Sequence, residues 1–268
     1  MKTSQEKAAR IRACKHSKHV TLVTGYDYPT GRLLDEAGVD IILVGDSVGM
    51  VMLGFPDTTH VTMAHMLHHV AATARGVKNA LVLGDMPIHT YDTVEAAVET
   101  ARQLYDVGAD AVKLEGGAEQ AEKIKAIVEA GIPVIGHIGL LPQRVKEEGG
   151  YKIKGKTEEE ALALLADVAA VAEAGVCAVV VEGVRPDTAR RLTIASPIPT
   201  LGIGAGSHTC DGDVVVIHDL VGAFPWFVPG FIKPRANVAE VMTTAVKSWM
   251  KDSYTEPGSV TYPAEKED

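Results

Sequence analysis

Two short runs share a pattern: "LVGD" ends at Asp46 and "LVLGD" at Asp85, each setting an acid behind a glycine where an apolar stretch closes. A third run, "AVKLEGG", carries Lys113 and Glu115 among apolar residues, a fourth, "VVVEGV", ends its valines at Glu182, and "PVIGHIGL" adds His137. Carboxylates gathered in a partly dry cleft repel one another unless a cation or protons intervene. Oxygen donors without a neighbouring cysteine or paired histidine select a hard ion, Mg2+ ahead of Mn2+ or Ca2+. Because Mg2+ takes one or two carboxylates and completes its shell with water and substrate oxygens, Asp46 and Asp85 are the expected ligands. A lysine inside an apolar strand must face a polar site or bear a desolvation cost; Lys113 is expected in the same cleft, with a structural salt bridge to Glu115 as the alternative. Glu182, behind three valines, suits a general acid or base, since burial raises a carboxyl toward neutrality. His137 is expected to face ligand, against the alternative of a core histidine bonded to backbone.

Other residues carry blander readings. Asp27 is expected to cap the following helix. His65, His68 and His69 in "HMLHH" stand at helical spacing and read as a solvated face rather than a metal site. The glycine run "LGIGAG", residues 201 to 206, is either a phosphate loop or a close-packed turn.

The elements that must hold these residues alternate. Eight apolar runs, starting near residues 20, 40, 80, 111, 133, 177, 199 and 214, read as strands buried on both faces, and the last continues through His218 and Asp219. Between many of them lie stretches of 3.6-residue period closed by glycine. Parallel strands need such crossovers, so the class is α/β, and eight units in this length fit a (β/α)8 TIM barrel with a polar N-terminal helical extension. An open doubly wound sheet is the runner-up, but no GxGxxG follows the first strand. The chain is expected to be one domain over 1–268, with a loose polar tail, "EPGSVTYPAEKED". In a barrel the strand C-terminal ends converge on one mouth, and the long connections 48–61 and 141–156 are expected to cover it.

Composition narrows the class further. A formal net charge of −9 without a basic block argues against nucleic acid or an anionic membrane as partner. Three cysteines lacking any CxxC spacing fit a reducing compartment, and no stretch suggests a signal peptide or a membrane span, so a cytoplasmic protein is expected.

In order along the chain, "TGYDYPTGRLLDEAGVDIILVGDSVGMVMLG", "VTMAHMLHHVAATARG", "VLGDMP", "GADAVKLEGG", "PVIGHIGLLPQ", "GGYKIKGK", "VVVEGV" and "GIGAG…CDGDVVVIHDLVG" resemble the ketopantoate hydroxymethyltransferases over roughly residues 18–235. That resemblance implies a Mg2+-dependent barrel, a 2-oxo acid substrate, 5,10-methylenetetrahydrofolate as one-carbon donor and a homodecamer. It implies Asp46 and Asp85 as Mg2+ ligands with Glu115 close by, Ser47 and Lys113 on the substrate carboxylate, and Glu182 as catalytic acid or base. The product would be 2-dehydropantoate from 3-methyl-2-oxobutanoate. The alternatives are a paralogue acting on another 2-oxo acid, or a barrel of the phosphoenolpyruvate mutase and isocitrate lyase type, which would want a reactive cysteine loop. Thr59 and His60 stand where the family carries Leu-Pro, and Asp213 where it carries glutamine. These departures, with His89 in "PIHTY", are expected near the mouth.

Overall fold

The computed structural model describes residues 2–254 and 258, which divide into two compact units with the boundary between Ile217 and His218. The first is a closed barrel of eight parallel strands in chain order: β1 (Val20–Thr24), β2 (Ile41–Val44), β3 (Leu81–Asp85), β4 (Ala111–Glu115), β5 (Val134–Gly139), β6 (Ala178–Glu182), β7 (Thr200–Ile203) and β8 (Gly212–Val215). β1 pairs with both β2 and β8, which closes the ring. Helices such as Met63–Ala74, Val94–Asp106 and Glu158–Glu173 supply the crossovers. The expected (β/α)8 barrel is therefore observed.

Strand alternation sorts the core into layers. In β2, Ile41 and Leu43 join Leu22, Leu81, Leu83, Ile135, Val180 and Leu201 in the barrel interior. Val44 belongs with Val112, Leu114, Val179 and Val181 to the layer that meets helix residues Met66, Val70, Leu104, Ile124 and Val168. Side chains two apart share a face. Ala111, Ile135 and Val180 face inward, so Lys113, Glu115, His137 and Glu182 must as well; Leu83 sets Asp85 by the same rule.

The N-terminal helix Ser4–Arg12 begins with a capping box between Thr3 and Glu6 and packs Ala8, Ile11 and, just beyond it, Cys14 onto the interior cluster. Three lysines of this lead-in meet three aspartates: Lys7 with Asp110 at 2.7 Å, Lys15 with Asp211 at 2.8 Å, and Lys18 with Asp40. Each aspartate immediately precedes an even-numbered strand and accepts a backbone N–H from the odd-numbered strand before it, from Val82, Thr200 and Thr21 respectively. The barrel floor is thus stitched in three places.

The second unit contains the helix Val238–Asp252, capped by Asn237. Val241, Met242, Val246, Trp249 and Met250 on it are exposed. One sequence expectation needs correction here: β8 ends at Val215, and His218 and Asp219 lie on a short helix, Ile217–Val221, rather than at a strand end. Pro-free Val214–Val215 continues the ladder, whereas the residues after it turn into helix. The tail from Glu256 to Asp268 lies outside the described residues apart from Gly258. Among the described residues no helix is long and apolar enough to cross a membrane.

Candidate active site

Register lifts the polar residues up the barrel in steps. Asp85 pairs with Lys113, Glu115 with His137, and Gly139 with Glu182, so each strand contributes two residues above the level of the last. Gly139 sits at φ 98°, and a Cβ there would fall 2.3 Å from the Glu182 carbonyl oxygen. Only glycine permits that approach without strain.

The side chains meet as the strand alternation requires. Lys113 Nζ lies 2.9 Å from Asp85 Oδ1 and 3.2 Å from His137 Nδ1. His137 Nε2 lies 3.2 Å from Glu182 Oε2, and Nδ1 3.7 Å from Glu115 Oε1. The Asp46 backbone N–H donates to Asp85 Oδ2 at 3.1 Å. Ser47 Oγ is 2.8 Å from the Tyr26 hydroxyl. Asp46, Asp85, Lys113, Glu115 and His137 are buried, while the Glu182 side chain keeps 23% of its surface open.

Burial and crowding shift the ionisable groups. Burial, then the charge of Asp85, pushes the Asp46 carboxyl up to about 7, and burial raises Glu115 well above the usual carboxylate range. For Lys113 burial favours the neutral amine, but the charges of Asp85, Asp46 and Glu115 outweigh it and the ammonium is held above its ordinary value. Burial and then the Lys113 charge lower His137, keeping its imidazole neutral. Glu115 Oε1 is buried without a hydrogen bond, and Asp85 Oδ1 faces the Lys113 ammonium at 2.9 Å. Among the described residues no three acidic, histidine or cysteine side chains form a ready metal cage. The carboxylates instead present oxygens that a hard ion could share with water and substrate.

The remaining expectations divide. Asp27 caps the helix Tyr28–Glu36 through the Thr30 N–H. The "HMLHH" histidines are not a uniformly solvated face: His68 is exposed, but His65 joins a capping box with Thr62 and His69 bonds the Tyr26 carbonyl at 2.7 Å. The loop after β7 is closely packed, with Thr209 bonded to the Ala205 and Gly206 carbonyls. Thr59 and His60 lie on a 3-10 turn whose Asp57 is bridged to Lys146 of the 141–156 connection at 2.9 Å; Lys146 also donates to Thr59 Oγ1 at 3.0 Å. The two long connections are therefore clasped together. Asp213, by contrast, is not near the mouth: it is the second residue of β8 and pairs with His19 just before β1. Sequence reasoning missed Gln143, whose buried amide donates to Asp46, and Tyr91, whose buried hydroxyl donates to that amide. Gln143 closes the "GLLPQ" motif directly after β5, a strand-end position that could have marked it.

A closed parallel barrel with acids, a lysine and a histidine at its strand C-terminal ends defines a TIM-barrel enzyme. In fold it is similar to a phosphoenolpyruvate phosphomutase from Streptomyces platensis subsp. rosaceus, with TM-score 0.64 at 18% identity over 92% of this chain and 91% of that one. A 2,3-dimethylmalate lyase of the PEP mutase/isocitrate lyase superfamily gives TM-score 0.64 at 15% identity, covering 98% and 93%. Sequence narrows the class: the chain belongs to the ketopantoate hydroxymethyltransferase family, whose model matches residues 5–264. It is 51% identical to a 3-methyl-2-oxobutanoate hydroxymethyltransferase of Ignicoccus hospitalis over 89% of this chain and 90% of the relative. A protein of the same description from Moorella thermoacetica is 48% identical, covering 88% of each.

Proposed function

We propose that this transferase hydroxymethylates 3-methyl-2-oxobutanoate, taking the methylene carbon from 5,10-methylenetetrahydrofolate and the hydroxyl from a water, and giving 2-dehydropantoate and tetrahydrofolate, with Mg2+ bound at the barrel mouth. The observation carrying this reading is the convergence of Asp85, Lys113, Glu115, His137 and Glu182 beside Asp46, with Glu115 Oε1 lacking a hydrogen bond and Lys113 standing 2.9 Å from Asp85 Oδ1. Buried carboxylates crowded together, one with an oxygen lacking a hydrogen bond, fit a hard divalent ion, and Asp46 and Asp85 would hold it with Glu115 close by. When bound, Mg2+ supplies Lewis acidity toward the charge that develops on a keto oxygen. Lys113 and Ser47 orient the substrate carboxylate, the lysine kept cationic by its acidic neighbours. Glu182, the open member of the cluster, moves the proton of the reaction, and the neutral His137 beside it fixes its orientation.

The phosphomutase-type alternative finds no support in the cysteines. Cys14 and Cys177 are buried in the barrel interior cluster, and burial pushes the Cys177 thiol up to about 12. Free thiols at all three positions accord with a cytoplasmic protein. The exposed apolar face of the helix Val238–Asp252 accords with assembly, taken from the family resemblance to be a homodecamer. The test is direct: purified protein with Mg2+, 5,10-methylenetetrahydrofolate and a panel of branched 2-oxo acids, scored by mass spectrometry. Ketopantoate as the preferred product is expected; product from a different 2-oxo acid only would reassign the substrate.

A further inference from the structure

Gln143 is 3% exposed and touches both sides of the acidic cluster. Its Nε2 donates to Asp46 Oδ2 at 2.9 Å and to the Met86 carbonyl at 3.0 Å. Its Oε1 accepts from the Tyr91 hydroxyl, and its backbone N–H donates to Glu115 Oε2 at 3.1 Å. The amide can sit only one way round. Both groups near one end are acceptors, so the nitrogen faces them, while the phenol supplies a donor to the oxygen.

The choice of an amide has a physical reason. A lysine or arginine in this place would also bond Asp46, but its charge would compete with a cation for the same carboxylate. A neutral donor orients the carboxylate through Oδ2 and leaves its charge and Oδ1 for an ion. Gln143 lies on the 3-10 turn Pro142–Arg144, with proline fixing its entry. The neighbouring Arg144 is anchored to Glu119 at 3.1 Å, and Lys146 to Asp57 at 2.9 Å, so the chain on its C-terminal side is tied down.

We propose that Gln143, locked by Tyr91, is a positioning residue for the divalent ion: it aims the Asp46 carboxylate with its side chain and the Glu115 carboxylate with its backbone. The proposal rests on the Mg2+ reading given above. Partners that orient metal-ligating groups are typically worth about tenfold or more in metal affinity, so a change here should register in binding even without substrate.

The experiment titrates the full chain with Mn2+ alone, following the free ion by electron paramagnetic resonance, alongside thermal melts. Gln143→Met preserves volume and removes the amide; its Mn2+ affinity is expected to fall about tenfold. Tyr91→Phe removes only the bond that locks the amide, and a loss of about threefold is expected. A merely structural role would lower the melting temperature and leave the affinity of the folded protein unmoved. Affinities within twofold of wild type in both variants, while Asp85→Asn abolishes binding, would overturn the proposal and leave the Mg2+ reading standing. If wild type and Asp85→Asn bind Mn2+ equally weakly, the Mg2+ reading fails and the proposal falls with it. Should Gln143→Met not fold, Tyr91→Phe decides: a loss of affinity supports the assignment, and an unchanged one removes it.

Discussion

Replacing Lys113 by methionine would take the ammonium out of a buried group of carboxylates and keep most of its volume. Lys113 is 4% exposed and sits 2.9 Å from Asp85, with the charges of Asp46 and Glu115 also acting on it. Removing one partner of a buried ion pair costs about 3–5 kcal/mol, because the other charge is left unpaired. The cluster can limit that cost by taking up a proton. Its ceiling is then the cost of protonating one ordinary aspartate, about 4 kcal/mol at pH 7 and about 1.5 kcal/mol at pH 5. For a domain of this size the melting temperature should drop by about 8–16 °C at pH 7 but only about 3–6 °C at pH 5. The sign is set by the proton: where the variant can neutralise a carboxylate cheaply, the missing lysine matters less. Calorimetric melts of the chelator-treated variant and wild type at the two pH values test this. A deficit under about 2 °C at pH 7, or one that fails to shrink at pH 5, would refute the view that Lys113 is the charge partner of the cluster.

Asp46 titrates near pH 7 in the protein without metal because of burial and Asp85, so below that pH an incoming ion must displace a proton. Mn2+ affinity is therefore expected to fall by up to about tenfold per pH unit from pH 7 to pH 6 and to level off above pH 8; equal affinity at pH 6 and pH 8 would exclude Asp46 as the titrating ligand. At the opposite end of the barrel, Lys7→Met leaves Asp110 largely buried without its cation. A stability loss of about 3 kcal/mol is expected in denaturant titration, with Mn2+ binding unchanged, and a loss below about 0.5 kcal/mol would show that the floor contact is only marginal.

Much of the site was legible because strand alternation and chemistry point the same way. Lys113 is improbable in an apolar strand unless it faces a polar mouth, and period two then carries Glu115 with it. The inward direction of His137 and Glu182 follows from the same rule once Ile135 and Val180 are assigned to the interior. What escaped was whatever depends on contacts between distant loops. Gln143 lies 97 residues from Asp46, and a polar residue after a proline looks from sequence like an ordinary turn. The contacts of Asp40, Asp110 and Asp211 likewise carry no sequence signal, since their lysine partners reside in a lead-in with no visible relation to them. The error at His218 came from treating an apolar run as strand to its end; short apolar runs do not distinguish strand from helix.

The stitched floor also bears on the order in which the chain can be completed. Residues 7, 15 and 18 are synthesised before any strand of the barrel, yet the partner of Lys15 lies 196 positions later. At about 5–20 residues per second, synthesis of the intervening chain occupies on the order of ten seconds or more, during which Lys15 cannot make its final contact. The inner faces of β1 and β2 must wait as well, because the ring shuts only when β8 pairs with β1. Until then Leu22, Ile41 and Leu43 are covered by neither plug nor closed wall. A nascent chain of this architecture therefore carries an open apolar trough for most of the barrel's elongation, and the segment preceding β1 acts as the closing stopper.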